Sequence, residues 1–314
     1  MGTMAVAVVN YNTRELLRGA LASAMADGAG EVVVADNGST DGSAEMVRAE
    51  FPSVELVVDR SNPGYGAASN AAIRRTRADY VLLLNSDTLL PPGALAALAS
   101  YLDREPRVGM VGPRLRGANG RLEQSCHDFP TPLVSLLEYS WVGDIVKAMP
   151  IVRRRYARSW AHHRPRRFDW VTGAALAIRR RAFDDVQGFD ESFFMYFEEV
   201  DLAYRMLQAG WETYFAPVTD VTHFGGQSTK QQRTAMFSQQ FRAAMKFYHK
   251  HRTPAETARA VRALRFALRS KLVIGAVRRA LTRDEEYRRA IAAHMADCRH
   301  VLGQSWQRAT AQQS

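Results

Sequence analysis

Three carboxylates lie within four positions of the sequence, directly after a run of five large apolar residues. The stretch FFMYFEEVDLAYRM (residues 193–206) contains Glu198, Glu199 and Asp201. A carboxylate can act as a general base that removes the proton from an attacking hydroxyl group. Acidic residues are also typical of a solvated helix start, because they are favourable near the positive end of a helix. On a helix that begins near Glu198, Asp201 shares its side while Glu199 points about 100° away. The residues alone leave a catalytic and a structural interpretation open.

Four predicted strands end in polar or glycine-containing segments. These segments are Asn10-Tyr11-Asn12, Asp36-Asn37-Gly38-Ser39, Asn62-Pro63-Gly64-Tyr65-Gly66 and Asn85-Ser86-Asp87. Each segment by itself fits ordinary turn chemistry. In a parallel sheet, however, all four would lie at the carboxyl ends of strands, where open α/β sheets bind ligands. Four such segments in succession therefore predict a shared binding site.

The polar segments suggest particular chemistry. Asp36 is placed to accept hydrogen bonds from a base or ribose, and Gly64 and Gly66 would let the backbone approach a ligand closely. Asp87 can bind a hard divalent cation that bridges a diphosphate, although an Asp that caps the following helix has the same context. The first predicted strand is not followed by GxGxxG, and GxxxxGK with Ser or Thr occurs nowhere. Hydride transfer to a nicotinamide and P-loop phosphoryl transfer are therefore disfavoured.

The elements that must position these residues alternate along the chain. MAVAVVNY, EVVVADNGS, VELVVDRSNPGYG and YVLLLNSD have strand patterns, and segments with helical spacing lie between them. Such alternation predicts an α/β fold with a mostly parallel sheet and helices on both faces. EEVDLAYRMLQAG reads as a helix closed by Gly210, VTGAALAIRRRAF as a strand, and WETYFAPVTDVTHFGG as a strand pair that ends at His223. From Gln231 onward the pattern is helical and basic.

Composition is that of a globular protein in a reducing compartment. The 314 residues are 46% hydrophobic and 24% charged, which are ordinary values for a folded domain. Cys126 and Cys298 lie far apart and show no metal-ligand spacing. The N-terminus does not have a signal-peptide pattern, and no stretch reaches the roughly 18–20 apolar residues that cross a bilayer. These features predict a cytoplasmic location.

The net charge of +10 points to a polyanionic partner such as nucleic acid, anionic lipid or a phosphorylated substrate. Much of the excess lies in residues 153–168 and between Arg242 and Arg289, and the apolar segment 129–152 reads either as core or as a membrane contact. The C-terminal helices interleave apolar and basic side chains. These are Phe266, Leu268, Leu272, Val273 and Ile274 with Arg262, Arg265, Arg269 and Lys271. A membrane-surface role is one hypothesis. The other is a hairpin that packs on the preceding α/β domain or on a second subunit.

Six motifs follow one another along the chain: VVNYN, VVVADNGSTDGS, NPGYGAASN, LLLNSDT, GFDESFFMYFEEVDL and HFGG. Together, and in this order, they resemble glycosyltransferase family 2, of the GT-A fold, and most closely its bacterial rhamnosyltransferase branch. The resemblance covers roughly residues 4–228. It implies a Rossmann-like catalytic domain over 1–228, with a nucleotide-sugar-binding half (1–115) and an acceptor-binding half (116–228). A basic helical region then occupies 229–314.

The resemblance also implies an activity. Members of the family transfer a sugar from a nucleotide diphosphate with inversion and use a divalent metal, Mg²⁺ or Mn²⁺. The favoured donor is dTDP-rhamnose, and the acceptor would be a polyprenyl-diphosphate-linked sugar or a cell-envelope polysaccharide. Other branches use UDP-glucose, UDP-galactose or UDP-GlcNAc, and these donors stay open, as does a homo-oligomer. The implied location is cytoplasmic, with peripheral binding on the inner face of the cytoplasmic membrane. A nucleic-acid-binding protein is the alternative from another class, but only the charge suggests it.

Individual roles follow from the same resemblance. The residues expected to bind the nucleotide sugar are Val9, Asn10, Tyr11, Asn12, Asp36, Asn37, Asn62, Gly64, Tyr65, Gly66, Asn70, Asn85 and Ser86. Those expected to bind the acceptor are Trp170, Thr172, Gly173 and Ala174, with Trp170 as a sugar-stacking ring or a core residue. Asn85-Ser86-Asp87 occupies the DxD position with Asn in first place, which leaves Asp87 as the metal ligand beside His223. Glu199 aligns with the catalytic base, where the family usually has Asp. The choice between Glu198 and Glu199 stays open, and Asp201 would hold the loop, the acceptor or the helix start.

Overall fold

The computed structural model describes residues 2–140, 163–225 and 233–304. The chain divides into two compact units. The first, which we call the sheet unit, consists of Met1–Phe129 and His162–Gln231; the second, the helical unit, consists of Pro130–Ala161 and Gln232–Ser314. A single boundary near residue 228 was predicted. The helical unit instead draws on two separate parts of the chain.

A nine-stranded sheet forms the centre of the sheet unit. In chain order its strands are β1 (Met4–Asn10), β2 (Val32–Asp36), β3 (Glu55–Val58), β4 (Tyr80–Asn85), β5 (Thr88–Leu89), β6 (Val108–Gly117), β8 (Arg166–Phe168), β10 (Ala175–Arg179) and β11 (Glu212–His223). Their order across the sheet is β3-β2-β1-β4-β10-β6-β11-β5, and β8 pairs with β11. All run in one direction except β10, β5 and β8. Two further short strands, β7 (Cys126–His127) and β9 (Trp170–Val171), pair with each other. The predicted α/β fold with a mostly parallel sheet is confirmed.

Helices cover the sheet because its central strands are apolar on both faces. The helices of this unit are α1 (Arg14–Ala26), α2 (Ser43–Glu50), α3 (Tyr65–Ile73), α4 (Ala94–Arg104), α6 (Arg180–Asp185) and α7 (Glu198–Gln208). Val6 and Val8 of β1 join Leu17 of α1 and Leu98 of α4 in one buried cluster. The alternate positions of β1 are buried too, and α3 contacts both β1 and β2. Burial of this kind is typical of parallel strands between two helical layers.

Two local predictions differ from the structure. The segment predicted as a strand pair is the single strand β11, which runs parallel to β6 with an irregular register between Phe215 and Asp220. Pro217 lies in that interval, and a proline has no N–H to donate to a neighbouring strand. The segment VTGAALAIRRRAF, predicted as one strand, contains β10 and then turns directly into α6.

The helical unit consists of α5 (Pro132–Tyr139), α8 (Arg233–His251), α9 (Pro254–Leu281) and α10 (Glu285–Gly303). The sequence TPAE starts α9: Thr253 accepts the N–H of Glu256, Glu256 bonds back to Thr253, and Pro254 opens the helix. Asp284 caps α10, because its side chain accepts two backbone N–H groups. The predicted helical, basic region after residue 231 is thereby confirmed in the described part.

The apolar side chains of these helices form a core of their own. Its buried members include Phe241, Met245, Tyr248, Ala260, Leu264, Leu268, Cys298 and Val301. From α5, Tyr139 packs against this core and Ser135 lies 2.9 Å, oxygen to oxygen, from the Tyr248 hydroxyl. The apolar segment 129–152 therefore contributes to a core as far as residue 140; the rest of it, and residues 153–162 of the basic stretch, lie outside the described residues. Across the described ranges, no helix is both long enough and apolar enough to cross a bilayer.

Candidate active site

The carboxyl ends of three strands lie side by side in the sheet unit. Asn10 of β1 is level with Asp36 of β2, and Val9 is level with Asn85 of β4. The register follows from the matched apolar lengths of the strands, which bring their first polar residues to one edge. Three of the four predicted polar segments therefore meet there, as the sequence predicted.

A hydrogen-bonded cluster, which we call the strand-end network, lies directly behind this edge. Asn10 donates from Nδ2 to Asp36 Oδ2 at 2.7 Å, and its Oδ1 accepts from the Thr13 hydroxyl at 2.7 Å. Ser39 donates its hydroxyl and its N–H to the two carboxylate oxygens of Asp36. The Thr13 and Ser86 hydroxyl oxygens are 2.7 Å apart. The polar groups of this network satisfy one another.

Asp36 therefore differs from the prediction that it presents its carboxylate to a base or ribose. Its side chain is 1% exposed, and both oxygens already accept hydrogen bonds from within the protein. Asn10 is 0% exposed for the same reason. In this structure the two residues shape the sheet edge from behind.

The neighbouring loop residues hold the same edge. Asn12 has a left-handed backbone (φ 51°), and its Oδ1 accepts the N–H of Thr40 at 2.7 Å. Asn37 donates from Nδ2 to the carbonyl of Gly64 at 3.3 Å. Asn62 also has a left-handed backbone, with φ 51°. Both conformations suit Asn better than most side chains, because Asn tolerates positive φ. Val9 is buried within β1, whereas Tyr11, Asn12 and Asn62 keep part of their surface exposed.

The glycines of the NPGYG segment admit the protein's own backbone. A Cβ at Gly64, where φ is +97°, would lie 2.3 Å from the carbonyl oxygen of Phe194. The N–H of Tyr65 donates to that same oxygen at 2.8 Å. A Cβ at Gly66 would meet the Cβ of Glu198 at 3.6 Å. A close approach to a ligand was predicted here; at Gly64 the structure instead places the segment that leads into α7.

Asn70 also serves that segment. Its Oδ1 accepts the N–H of Phe189 at 2.8 Å, and its Nδ2 donates to the Phe189 carbonyl at 2.9 Å and to Glu191 Oε1 at 2.8 Å. The side chain is 1% exposed. Asn70 was predicted to contact the nucleotide sugar. Its amide is instead engaged in clamping the 186–191 loop.

Asp201 and Arg205 hold the same loop from α7. Asp201 is completely buried and pairs with Arg205, Oδ2 to Nε, at 2.7 Å. Arg205 then donates to the carbonyls of Val186 and Gly188 at 2.6 and 2.7 Å. Of the predicted tasks for Asp201, holding the loop agrees with this geometry. Arg205, one helical turn away, completes the contact.

The start of α7 is conformationally unusual. Tyr196 and Phe197, the two residues before the helix, both have left-handed backbones, with φ of 65° and 67°. Aromatic residues rarely adopt positive φ, and such strain is concentrated at functional sites. The two residues turn the chain so that Glu198 and Glu199 form the first turn of α7, where the helix dipole favours negative charge.

Glu198 and Glu199, which we call the glutamate pair, are incompletely satisfied. Within the described part of the chain, the buried Oε2 atom of each has no hydrogen-bond partner. Burial raises the pKa of Glu199 to about 7, although backbone N–H groups, among them that of Gly173, act to lower it. Burial, and after it the charge of Glu199, raises the pKa of Glu198 well above its usual range. A carboxyl with a pKa of about 7 can gain or lose a proton at neutral pH, and Glu199 meets this condition.

Tyr65 connects the sheet edge with the glutamate pair. Its hydroxyl lies 2.8 Å from Asn85 Oδ1 and 3.2 Å from the carbonyl oxygen of Gly173, whose N–H bonds to Glu199. Burial, followed by the charges of Glu198, Glu199 and Asp87, raises the pKa of Tyr65 well above its usual value. The hydroxyl therefore stays protonated as a donor. Gly173 is the point at which the two parts of the site join.

The other predicted acceptor residues surround Gly173. Trp170 stacks on His127, with ring centroids 4.2 Å apart, and donates its Nε1–H to the carbonyl of Asp128 at 3.0 Å. It is partly buried, and His127 occupies one of its faces. Thr172 is half-buried, with its N–H bonded to Ser125, whereas Ala174 is 1% exposed. Thr172 and Gly173 are thus the more accessible of the four.

Asp87 and His223 face each other at the junction of β5 and β11. His223 is level with Thr88 in the sheet, and its Nε2 lies 3.5 Å from Asp87 Oδ1. On the other side of the ring, Nδ1 is 2.9 Å from Glu123 Oε2. Burial lowers the pKa of His223, but the hydrogen bonds to Asp87 and Glu123 outweigh it, so that the pKa is raised. Both ring nitrogens therefore face carboxylates.

This arrangement fits a metal ion with two protein ligands. A histidine that binds a metal usually turns its other nitrogen toward a carboxylate, and Glu123 fills that position here. Among the described residues, however, no group of three or more acidic, His or Cys side chains is arranged around a common point. Further ligands would have to come from a bound diphosphate and water, as hard divalent cations allow.

Residues 2–246 match the protein family described as Glycosyltransferase like family 2. The chain belongs to this family. Its resemblance to known glycosyltransferases, predicted from the motifs, is thereby confirmed, and the chain is a glycosyltransferase.

Two named relatives indicate which branch of the family this glycosyltransferase resembles. It is 34% identical over 210 residues to N-acetylglucosaminyl-diphospho-decaprenol L-rhamnosyltransferase of Mycobacterium tuberculosis, which covers 63% of this chain and 67% of the relative. It is 25% identical over 191 residues to rhamnosyltransferase WbbL of Escherichia coli, covering 58% of this chain and 67% of that protein. The predicted similarity to the rhamnosyltransferase branch is confirmed.

Solved structures support the predicted GT-A fold of the glycosyltransferase. The mannosyltransferase PcManGT from Pyrobaculum calidifontis, in complex with GDP-Man and Mn²⁺, superimposes with a TM-score of 0.55 at 18% identity. That match covers 96% of this chain and 87% of the other. GalNAc-T7 with UDP, GalNAc and Mn²⁺ gives a TM-score of 0.52 at 16% identity, over 71% of this chain and 43% of that one.

The sequence did not single out three residues that hold the site of this glycosyltransferase together. Thr13, Glu123 and Arg205 each fix the position of a predicted site residue. Arg205 had a detectable signal, because it follows Asp201 by one helical turn, the spacing of helical ion pairs. Glu123 lies 100 positions from His223, and nothing in its local sequence marks the contact.

Proposed function

We propose that the chain transfers L-rhamnose, with inversion, from dTDP-rhamnose to a lipid-linked N-acetylglucosaminyl diphosphate. The glutamate pair carries the catalytic part of this proposal: a Glu199 carboxylate with a raised pKa of about 7 and a buried Oε2 atom that lacks a hydrogen-bond partner among the described residues. The transferred sugar and the acceptor follow the name of the mycobacterial relative. The dTDP carrier follows the resemblance to the rhamnosyltransferase branch. Family membership is compatible with other nucleotide sugars, so the donor needs its own test.

We assign Glu199 as the general base. A base works best when its pKa lies near the working pH, and about 7 meets this condition. In the proposed step the acceptor hydroxyl group gives its proton to Glu199, and the hydroxyl oxygen forms a bond to the anomeric carbon of the donor sugar. The bond between that carbon and the diphosphate oxygen breaks with its electron pair on the leaving group. Attack opposite the leaving group inverts the anomeric configuration without a covalent enzyme intermediate.

Glu198 is assigned a supporting role. It is 5% exposed, and burial, followed by the charge of Glu199, raises its pKa well above the usual range, which favours its protonated form. A protonated Glu198 beside an ionised Glu199 avoids two like charges in one buried place. Arg205, Asp201 and Asn70 position the pair through the 186–191 loop.

Asp87 and His223 would hold the divalent metal, with Glu123 orienting the histidine. Such an ion supplies charge neutralisation to the leaving diphosphate. Nε2 of His223 must lose its proton to bind a metal, so metal binding and protonation compete at this ring. The exposed parts of Tyr11, Asn12 and Asn62 are proposed for the nucleotide.

Thr172 and Gly173 are proposed for the acceptor, because Gly173 contacts both Tyr65 and Glu199. The acceptor's lipid would bring the protein to the membrane as a peripheral protein on its inner face.

The transfer reaction itself is the decisive test. The purified full chain, with Mg²⁺ or Mn²⁺, would be given dTDP-rhamnose and a short-chain N-acetylglucosaminyl diphospholipid, and the product followed by mass spectrometry. We expect a rhamnosylated product whose anomeric configuration, determined by NMR, is opposite to that of the donor. A product of retained configuration would contradict the mechanism.

The donor is tested separately by a panel of nucleotide sugars in a thermal-shift assay. A ligand that binds the folded state raises its unfolding temperature by mass action. We expect the largest shift with dTDP-rhamnose. A larger shift with UDP-glucose, UDP-galactose or UDP-GlcNAc, together with transfer of that sugar, would replace the donor assignment and leave the catalytic assignment intact.

A further inference from the structure

Helix α9 of the helical unit carries an exposed apolar stripe. Its members are Phe266, Val273, Val277 and Leu281, which are 56%, 65%, 52% and 78% exposed. At about 100° per residue, the four side chains fall within an arc of about 80°. The stripe extends over fifteen residue steps, or about 22 Å at 1.5 Å per residue. These four side chains mark one exposed, mostly apolar face of the helix, which we call the α9 stripe.

The opposite face of α9 is already occupied by the core of the helical unit. Ala260, Leu264, Ala267 and Leu268 are all completely buried. Leu268, which the sequence placed among the membrane-facing residues, is thus a core residue, and Val277 and Leu281 join the exposed set instead. Because α9 has packed its other apolar face, the α9 stripe is additional to what the fold requires.

Arginines border the α9 stripe on both sides. Arg262 and Arg269 lie about 40–60° from Phe266 on one side, and Arg278 lies about 60° beyond Leu281 on the other. All three are exposed. Residues 233–304 contain sixteen Lys and Arg against five Asp and Glu, an excess of eleven positive charges, whereas the whole chain carries +10. A partner for this face must be apolar at its centre and anionic around it.

We propose that the α9 stripe is a docking surface for an anionic lipid bilayer. Leu, Val and Phe side chains would enter the boundary between head groups and acyl chains, with α9 lying along the surface, while the arginines meet lipid phosphates. A second copy of the chain is a poorer partner, because a two-fold contact would set the same arginines against each other. The inference deepens the proposed function, since a lipid-linked acceptor lies in such a surface.

Vesicle binding by the full chain tests the proposal. Sedimentation would be measured with phosphatidylcholine vesicles that either contain or omit phosphatidylglycerol. The test variant is Val277→Glu/Leu281→Glu, which places charge on the stripe. The matched control is Ala290→Glu/Ala293→Glu, which adds the same charge at exposed positions of α10. Val277→Ser/Leu281→Ser lowers apolarity without changing charge. Thermal unfolding would verify that all variants fold.

We expect the wild type and the α10 control to bind the anionic vesicles, more weakly as salt is raised. The stripe glutamate variant should lose binding by about tenfold or more, with the serine variant in between. Equal binding by the wild type and the stripe glutamate variant, or no wild-type binding at low salt, would overturn the proposal. A dimer in solution that the stripe glutamate variant alone converts to monomer would overturn it in favour of a protein interface.

Transfer to a water-soluble short-chain acceptor separates this inference from the proposed function. If the wild type transfers sugar but ignores vesicles, the α9 stripe proposal fails and the function stands. If it binds vesicles through the stripe but transfers no sugar from any nucleotide donor, the function fails and the docking surface stands.

Discussion

Two buried polar clusters in the sheet unit differ in how completely they are hydrogen-bonded. In the strand-end network, Asn10, Thr13, Asp36 and Ser39 donate to and accept from one another at 2.7–2.8 Å. In the glutamate pair, the buried Oε2 atom of each residue has no hydrogen-bond partner among the described residues. Both clusters belong to the sheet unit, so the difference in hydrogen bonding does not come from their lying in different units.

The difference distinguishes scaffold from reaction centre. Burying a polar group is costly unless a hydrogen bond compensates it, so a satisfied network can persist as a fixed part of the fold. An unsatisfied, buried carboxylate is kept only where packing elsewhere stabilises the fold and where the free oxygen has another use. Strain at Tyr196 and Phe197 supports the same interpretation of the glutamate pair.

Replacing Glu199 should have the largest effect. Glu199→Gln keeps the shape of the side chain but cannot accept a proton, so we expect transfer to fall by about 10²–10⁴-fold with little change in unfolding temperature. In the wild type, kcat/KM should rise with pH through about 7, as the Glu199 carboxyl with its raised pKa becomes ionised. Initial rates across this pH range are the measurement.

Glu198→Gln is the matched comparison for the base. We expect it to retain far more activity than Glu199→Gln, and Glu199→Asp to recover part of the loss. If Glu198→Gln were the inactive variant and Glu199→Gln the active one, the roles within the glutamate pair would be exchanged.

Arg205→Met should cause the largest loss of stability. It removes the ion pair with Asp201, which is completely buried, and frees the carbonyls of Val186 and Gly188. Breaking a buried pair in this way costs about 3 kcal/mol of unfolding free energy. Denaturant unfolding would measure it. The double variant Asp201→Asn/Arg205→Met also removes the buried carboxylate charge and should be less destabilised; equal loss would show that the carbonyl contacts dominate.

Glu123→Gln should weaken metal binding by about 10–100-fold, because it loosens the orientation of the His223 ring. Mn²⁺ affinity by calorimetry or electron paramagnetic resonance gives a readout independent of turnover. Glu105→Gln, on an exposed position of the same unit, is the control. Unchanged Mn²⁺ affinity in Glu123→Gln would remove Glu123 from the metal site.

Glu198→Gln should also change the pH dependence of stability. We expect this to be the smallest of the predicted effects. A carboxyl whose pKa is raised by folding stabilises the folded state below its unfolded pKa and loses that contribution as pH rises. Glutamine carries no such charge. The variant should therefore have a higher unfolding temperature than the wild type at pH 8 and not at pH 4. Melting curves at the two pH values would show it; a gain at pH 4 alone would contradict the burial argument.

The sequence predicted the sheet edge well because its signals are local. Apolar strands that end in Asn10, Asp36 and Asn85 can be recognised from short windows, and parallel pairing then brings their ends together. The motif order extended this to the family. Which of these residues would be buried was not predictable, since Asp36 owes its burial to Ser39 and Asn10 folding over it.

Contacts between segments that are far apart in the sequence could not be predicted, for a physical reason. Gly64 meets Phe194, and Asn70 bonds to Phe189, only because the fold of the sheet unit brings the start of α3 and residues 186–194 together. A glycine that admits a ligand and one that admits another backbone look identical in sequence. The boundary of the helical unit was missed likewise, because the partners of α5 lie more than 100 residues further on.

The placement of α5 has a consequence for the order of folding. A ribosome releases residues 132–139 long before Tyr248 and the α9 residues against which they pack. During synthesis, α5 therefore has no core to pack against until the 162–231 part of the sheet unit and the helices after it have been made. A chain cut after residue 231 would leave α5 without the core it packs on. Shortening the gene from its 3′ end is thus expected to yield an aggregating fragment, whereas joining residue 129 directly to residue 163 is the way to seek a minimal sheet unit.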